Sequence, residues 1–226
     1  MEQKQFLSDI SNHLTLNAPN MSDIGLFQGK MGVVLFFYLY SRYTQSGYYQ
    51  DFADILLDEV VEELDTSLNI SLKNGLSGIG WSLEYLVQNN FIEGDTSEIL
   101  HDINLTIMNK ADFSNCCDFS FESGLSGVVF YIKTHLSSPV RENKSLPFPP
   151  SFLSNLVSVI KKNKLDNYPF CSFLKYMHRP FASQDRLTLS RFLAPPKNGY
   201  EREIYKNCSL GLHGGLAGIG INLMLS

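Results

Sequence analysis

Basic charge, cysteine and long apolar runs are all in short supply, and each shortage removes a class of protein. Eighteen Lys and Arg face 23 Asp and Glu, for a formal net charge of -5. Nucleic-acid binders show a basic stripe; none is present, so no nucleic-acid partner is expected. The most apolar stretch, Val33 to Tyr40, falls far short of the roughly 18 apolar residues that span a bilayer, so no membrane span is expected. The N-terminus, Met1-Glu-Gln-Lys-Gln-Phe-Leu-Ser-Asp-Ile10, lacks the apolar core of a signal peptide. A cytoplasmic location follows as the default. The four cysteines, Cys116, Cys117, Cys171 and Cys208, then read as free thiols or ligands rather than disulfides. Also missing are a Gly-x-Ser-x-Gly elbow, a phosphate-binding Gly-x-x-x-x-Gly-Lys and a His-Glu-x-x-His pair.

What remains is a globular composition, 44% hydrophobic and 18% charged over 226 residues. It contains an internal repeat. Gly75-Leu-Ser-Gly78-Ile recurs as Gly124-Leu-Ser-Gly127-Val and as Gly215-Leu-Ala-Gly218-Ile, with a looser copy in Gly29-Lys-Met-Gly32-Val. The first glycines stand at 29, 75, 124 and 215, with spacings of 46, 49 and 91. The last spacing is close to twice the first, which predicts a degenerate copy near position 170, at Pro169-Phe-Cys-Ser-Phe-Leu-Lys-Tyr176.

Each glycine pair opens an apolar run. Between the runs lie segments with helical spacing of apolar residues: Phe6, Ile10 and Leu14; Phe52, Ile55, Leu56, Val60 and Leu64; Ile99, Ile103 and Ile107; Phe152, Leu156 and Ile160. Asp95 with Glu98 marks one helix start, the prolines before Ser151 another, and Ser183 a third. Each unit is therefore an amphipathic outer helix, a loop, a Gly-x-x-Gly turn and a more apolar inner helix. The fold class expected is all-α: helical-hairpin repeats forming an α/α toroid or an open arc, about five units of about 46 residues in a single domain, 1–226. The glycines are read as packing positions.

The repeated Gly-Leu-x-Gly-Ile openings resemble those of the lanthionine synthetase C-like proteins. The last copy, Leu210-Gly-Leu-His213-Gly-Gly-Leu-Ala-Gly-Ile-Gly220, resembles that family's Cys-His-Gly-x-x-Gly segment. The pattern runs from Gly25 to Met224. The resemblance implies an α/α toroid, usually of seven hairpins. In the family's cyclases it implies a zinc ion that activates peptide thiols for addition to dehydrated Ser or Thr. The chain departs from that pattern. The family's Trp-Cys-Tyr-Gly segment is absent, and the one tryptophan, Trp81, is away from any cysteine. Aligned on Gly215 and Gly218, His213 takes the cysteine position and Gly214 the histidine position; aligned on His213, Leu212 takes the cysteine's place. Either way one ligand is lost.

The ligand types that remain are Cys171 in the opening of the fourth unit, and Cys208 and His213 in that of the fifth. They form the candidate zinc set, with His213 and His178 as candidate acid/base groups. Glu84, Asp118 and Glu122 are weaker candidates for paired-carboxylate chemistry. Three functions follow. The first is a metal-free relative that binds a peptide substrate or a peptide-modifying enzyme during maturation of a ribosomally made peptide. The second is a zinc-dependent thioether cyclase. The third is a plain helical scaffold. The degraded ligand motif ranks the binding role ahead of the cyclase.

Overall fold

A computed structural model describes residues 2–113, 115–139, 146–179, 187–195 and 208–226. Among them there are ten α-helices and no strand. The helices are α1 (Glu2–Asn17), α2 (Lys30–Thr44), α3 (Gly47–Glu62), α4 (Leu76–Gln88), α5 (Thr96–Ile99), α6 (His101–Lys110), α7 (Leu125–Leu136), α8 (Pro150–Lys162), α9 (Tyr168–His178) and α10 (Leu216–Leu225). The all-helical expectation holds. The helix start expected at Ser183 lies outside the described residues. Two compact units form: Met1–Asp65 with Thr188–Ser226, and Thr66–Leu187. The first unit joins both ends of the chain.

The two helix types differ in burial as their composition dictates. Eleven of the fifteen residues of α2, twelve of the thirteen of α4 and all twelve of α7 are buried. Helices α3, α6 and α8 bury only four, three and three residues. In α3 the buried stripe is Ala53, Leu56, Leu57 and Val60, the i, i+3, i+4, i+7 face. Ile55 falls off its edge and is 56% exposed. Asp95 caps α5, its side chain accepting from the Ser97 N–H at 2.9 Å. α8 begins at Pro150, where a missing N–H costs nothing.

The glycine turns obey one construction. Six residues before each N-cap glycine stands Asp23, Asn69, Asp118 or Ser209. Its backbone carbonyl accepts the first helical N–H, from Lys30, Leu76, Leu125 or Leu216, at 2.7, 2.9, 2.9 and 2.8 Å. That occupies a donor which a helix start otherwise leaves open. In the first three copies the side chain also accepts the N–H two residues on, from Gly25, Ser71 and Ser120, at 2.7, 2.9 and 2.8 Å. The N-cap glycines themselves have extended backbone, so space rather than left-handed geometry selects them.

Within each unit, two of these turns dock on each other in one register. In unit 1 the His213 N–H donates to the Phe27 carbonyl at 2.9 Å; in unit 2 the Lys73 N–H donates to the Glu122 carbonyl at 2.9 Å. One residue earlier, Leu212 packs on Gly32 and Leu72 packs on Gly127. A β-carbon on Gly32 would lie 2.9 Å from Leu212 Cβ, and one on Gly127 would lie 2.7 Å from Leu72 Cβ. The register continues along the helices: Phe36 lies over Gly220, and Tyr131 over Gly80. The last glycine turn thus meets the first as the second meets the third.

One turn breaks the apolar pattern. Lys30 stands where the others carry Leu76, Leu125 and Leu216, and it is 2% exposed. Its Nζ lies 2.7 Å from Glu59 Oε2 and 3.3 Å from Glu63 Oε1. Burial alone would lower its pKa, but the hydrogen bonds and charges of the two glutamates outweigh that and hold it above 10.5. A raised pKa contributes stability in full below 10.5, and that stability is lost as pH rises through the folded value.

Three outcomes are expected in urea denaturation. Gly127→Ala should destabilise by about 1–3 kcal/mol, because overpacking against Leu72 and the Phe121 backbone exceeds the gain of about 1 kcal/mol in helix propensity. Gly47→Ala, which meets nothing within 4 Å, should be neutral or slightly stabilising. Replacing Glu59 and Glu63 together by Gln should cost about 1–3 kcal/mol near neutral pH by stranding a buried ammonium. That difference should narrow as pH rises past 10.5.

Candidate functional site

The position two residues before each N-cap glycine is filled by Phe27, Lys73, Glu122 and His213. These side chains follow directly on the leucines and phenylalanine that anchor the turns, so backbone docking fixes where they start. In unit 1 the His213 ring stacks on Phe27, with centroids 5.2 Å apart and planes at 22°. Phe192 closes on Phe27 edge-on at 5.7 Å. His213 Nδ1 lies 3.0 Å from the Phe192 carbonyl. A carbonyl only accepts, so Nδ1 carries the proton, and Nε2 is the lone-pair nitrogen of the neutral ring. The His213 carbonyl accepts from Gln28 Nε2 at 3.1 Å. Gly214 follows at φ +71°, a left-handed geometry that suits glycine. Cys208 sits on the same loop, its Sγ 3.4 Å from the Gly214 carbonyl.

The equivalent turns of unit 2 carry opposite charges. Lys73 Nζ pairs with Glu122 Oε2 at 3.0 Å, with side chains 39% and 43% exposed. Water screens such a pair to a fraction of a kcal/mol. Asp118 is engaged in its own turn. Cys116 lies beside it, its Sγ 3.3 Å from the Asp118 carbonyl. Burial pushes the Cys116 thiol up from 9.0, so it is protonated at neutral pH.

The remaining candidates lie on α9. Its N-cap, Asn167, accepts from Ser126 Oγ at the start of α7 (3.2 Å), while Tyr176 Oη donates to the Leu136 carbonyl at the end of α7 (2.7 Å). The two helices are therefore parallel. Cys171, whose Sγ is 3.1 Å from the Asp166 carbonyl, lies near the glycine-turn end. His178 ends the helix, about 10 Å further along at 1.5 Å per residue. Unit 1 brings Cys208 and His213 onto one loop, and unit 2 holds Cys171 and His178 at opposite ends of α9. Among the described residues no three His, Cys, Asp or Glu side chains converge as a metal-holding group. The His213 loop offers one thiol and one imidazole, two of the four positions of a tetrahedral zinc shell.

A buried pair escaped the sequence reading. Glu84 Oε2 and His135 Nδ1 lie 3.2 Å apart, both with fully buried side chains, at the ends of α4 and α7 away from the glycine turns. Gln88 Nε2 donates to the other Glu84 oxygen at 3.1 Å and to Ser138 Oγ at 3.3 Å. Glu84 thus has the partners its burial demands. The docking register contains the signal that finds His135. Counting from the second glycine of each helix, residue +2 (Gly80) meets residue +4 (Tyr131), so residue +6 (Glu84) meets residue +8 (His135).

A family model described as lanthionine synthetase C-like protein matches residues 20–225. The chain belongs to the lanthionine synthetase C-like family. Comparison with curated proteins and with solved structures returns no match. In this lanthionine synthetase C-like chain the matched span takes in all four glycine turns and the His213 loop. At that loop the imidazole is held between an aromatic ring and a backbone carbonyl.

His213→Phe keeps the stack on Phe27 and removes the hydrogen bond to Phe192. It is expected to cost about 1 kcal/mol in denaturant unfolding. Lys73→Ala, which removes an exposed pair, is expected to cost no more than about 1 kcal/mol.

Proposed function

We propose that this lanthionine synthetase C-like chain serves the maturation of a ribosomally made peptide by binding the peptide, or the enzyme that modifies it, rather than by zinc catalysis. The supporting observation is the make-up of the His213 loop. It carries a half-buried imidazole stacked on the buried Phe27 ring and a half-buried thiol, and among the described residues it supplies two metal donors. An imidazole beside Phe27 offers hydrogen bonding and stacking to an extended peptide without any bond to metal.

The thioether cyclase is the second reading, and one feature favours it. Nδ1–H on a backbone carbonyl is the outer-shell arrangement that orients a metal-bound histidine. On this reading Cys208 and His213 would supply two of the zinc ligands. Bound zinc would supply a thiolate from the substrate cysteine at neutral pH. His213 would contribute its Nε2 lone pair, fixed by the proton on Nδ1.

Two measurements separate the readings. Fluorescence anisotropy with a labelled peptide encoded beside the gene should show saturable binding that weakens about tenfold or more in His213→Ala. Elemental analysis of protein purified without added metal or chelator should show well under one equivalent of zinc. Near one equivalent, lost in Cys208→Ser, would establish the cyclase instead. No peptide binding, no binding of the modifying enzyme and no zinc would leave a plain scaffold.

A further inference from the structure

Helix α3 packs on α2 and buries Ala53, Leu56, Leu57 and Val60. Its opposite side carries Tyr48, Asp51, Ile55, Asp58 and Glu62, spaced by 3, 4, 3 and 4 residues. That alternation keeps all five on one stripe along the helix, the spacing of a seam between two helices. All five are exposed, Tyr48 at 64% and Ile55 at 56%. A helix face that has only to meet water needs no apolar residue. Here two stand seven residues apart, at the same place in successive heptads.

The carboxylates of α3 and its C-cap divide by side. Asp54 accepts from Tyr38 Oη, and Glu59 and Glu63 hold Lys30. The outward three, Asp51, Asp58 and Glu62, have no cation at salt-bridge distance among the described residues. Tyr48 is held in place beside them. Its ring meets Tyr49 edge-on at 5.4 Å, and Tyr49 packs on Tyr40 at 4.6 Å and on Phe37 at 6.2 Å. A ring already fixed on its neighbours loses little freedom when a partner covers it. The face of a tyrosine ring attracts a cation, as the carboxylates do, so both features select one sign of charge. A second copy of the chain does not fit. Stripe against stripe would set three carboxylates against three, with a net charge of -5 on each chain.

We infer that this stripe of α3 docks a basic amphipathic helix of a partner polypeptide, with aliphatic side chains against Tyr48 and Ile55 and Lys or Arg on Asp51, Asp58 and Glu62. Helix-on-helix docking reads its partner by apolar anchors at the same three-and-four spacing. The flanking charges decide partner choice and orientation. The surface is on an outer helix of unit 1 and contains no residue of the His213 loop, so it stands or falls separately from the peptide-binding reading.

Fluorescence anisotropy with the full chain at low salt tests this. The probe is a labelled synthetic helix of about three heptads, with Leu at the first position of each and Lys and Arg at the flanking ones. A second probe carries Glu in place of every basic residue. The basic helix should saturate below about 100 μM and weaken as salt rises; the acidic one should not bind. Carbodiimide coupling read by mass spectrometry should join the probe's lysines to Asp51, Asp58 or Glu62. Ile55→Ala, and separately Asp51→Asn with Asp58→Asn and Glu62→Gln, should each weaken binding about tenfold without lowering the melting temperature. Glu93→Gln, at an exposed carboxylate of unit 2, should change nothing. No saturation up to about 1 mM, binding indifferent to Ile55→Ala, an equal loss in Glu93→Gln, or cross-links spread over other carboxylates would overturn the proposal. So would sedimentation showing that the free chain dimerises and that Ile55→Asp abolishes the dimer, which would assign the stripe to a second copy.

Discussion

The contact of one glycine turn with the next decides where everything else lies. Leu72 on Gly127 and Leu212 on Gly32 bring two backbones close enough for Lys73 to donate to Glu122 and His213 to Phe27. A leucine buried in this way contributes about 1.5–3 kcal/mol, and a β-carbon on the facing glycine would occupy the leucine's place. Because the contact is at the helix starts, it sets adjacent helices parallel with a fixed two-residue offset. The offset then propagates: Gly80 receives Tyr131 and Gly220 receives Phe36. The aromatic rings bring the apolar helices together over positions that have no side chain. Helices buried all round can be satisfied only by such close, repeated packing.

The same constraint explains how much was legible in the sequence. The Gly-x-x-Gly pairs stood out because close approach tolerates nothing but glycine, so the copies stayed nearly identical. The upstream half of each turn did not stand out. Asp23, Asn69, Asp118 and Ser209 perform one backbone task with a carbonyl that every residue has, so their identity drifts. The amphipathic faces were readable from spacing, and only edge positions such as Ile55 were misplaced. The candidate site was less legible. Cys208 and His213 share a loop and could be paired by their closeness in sequence. Glu84 and His135 are separated by a whole repeat, and pairing them needs the two-residue offset, which is a property of packing. The loop after α9 and Ser183 lie outside the described residues.

Buried charge follows a rule that the two units share. Where a glycine-turn helix carries an ionisable group, a partner stands beside it. Lys30 has Glu59 and Glu63, and Glu84 has His135 and Gln88. An uncompensated charge in such a helix would cost several kcal/mol. These pairs specify which helix faces which, since each ties a buried helix to one neighbour: α2 to α3 and α4 to α7.

Helix α9 shows what happens when the glycine turn is lost. It has no Gly-x-x-Gly, and Pro169, Phe170 and Phe173 are its only buried residues. It has no glycine to admit a neighbour's leucine or aromatic ring, and the rest of its residues are half-buried or exposed. That surface carries Lys175, His178 and Arg179 at exposed positions, whereas α2, α4 and α7 bury most of their residues. Losing the close-packing glycines is thus what leaves the last turn of α9, with Lys175 and His178, exposed.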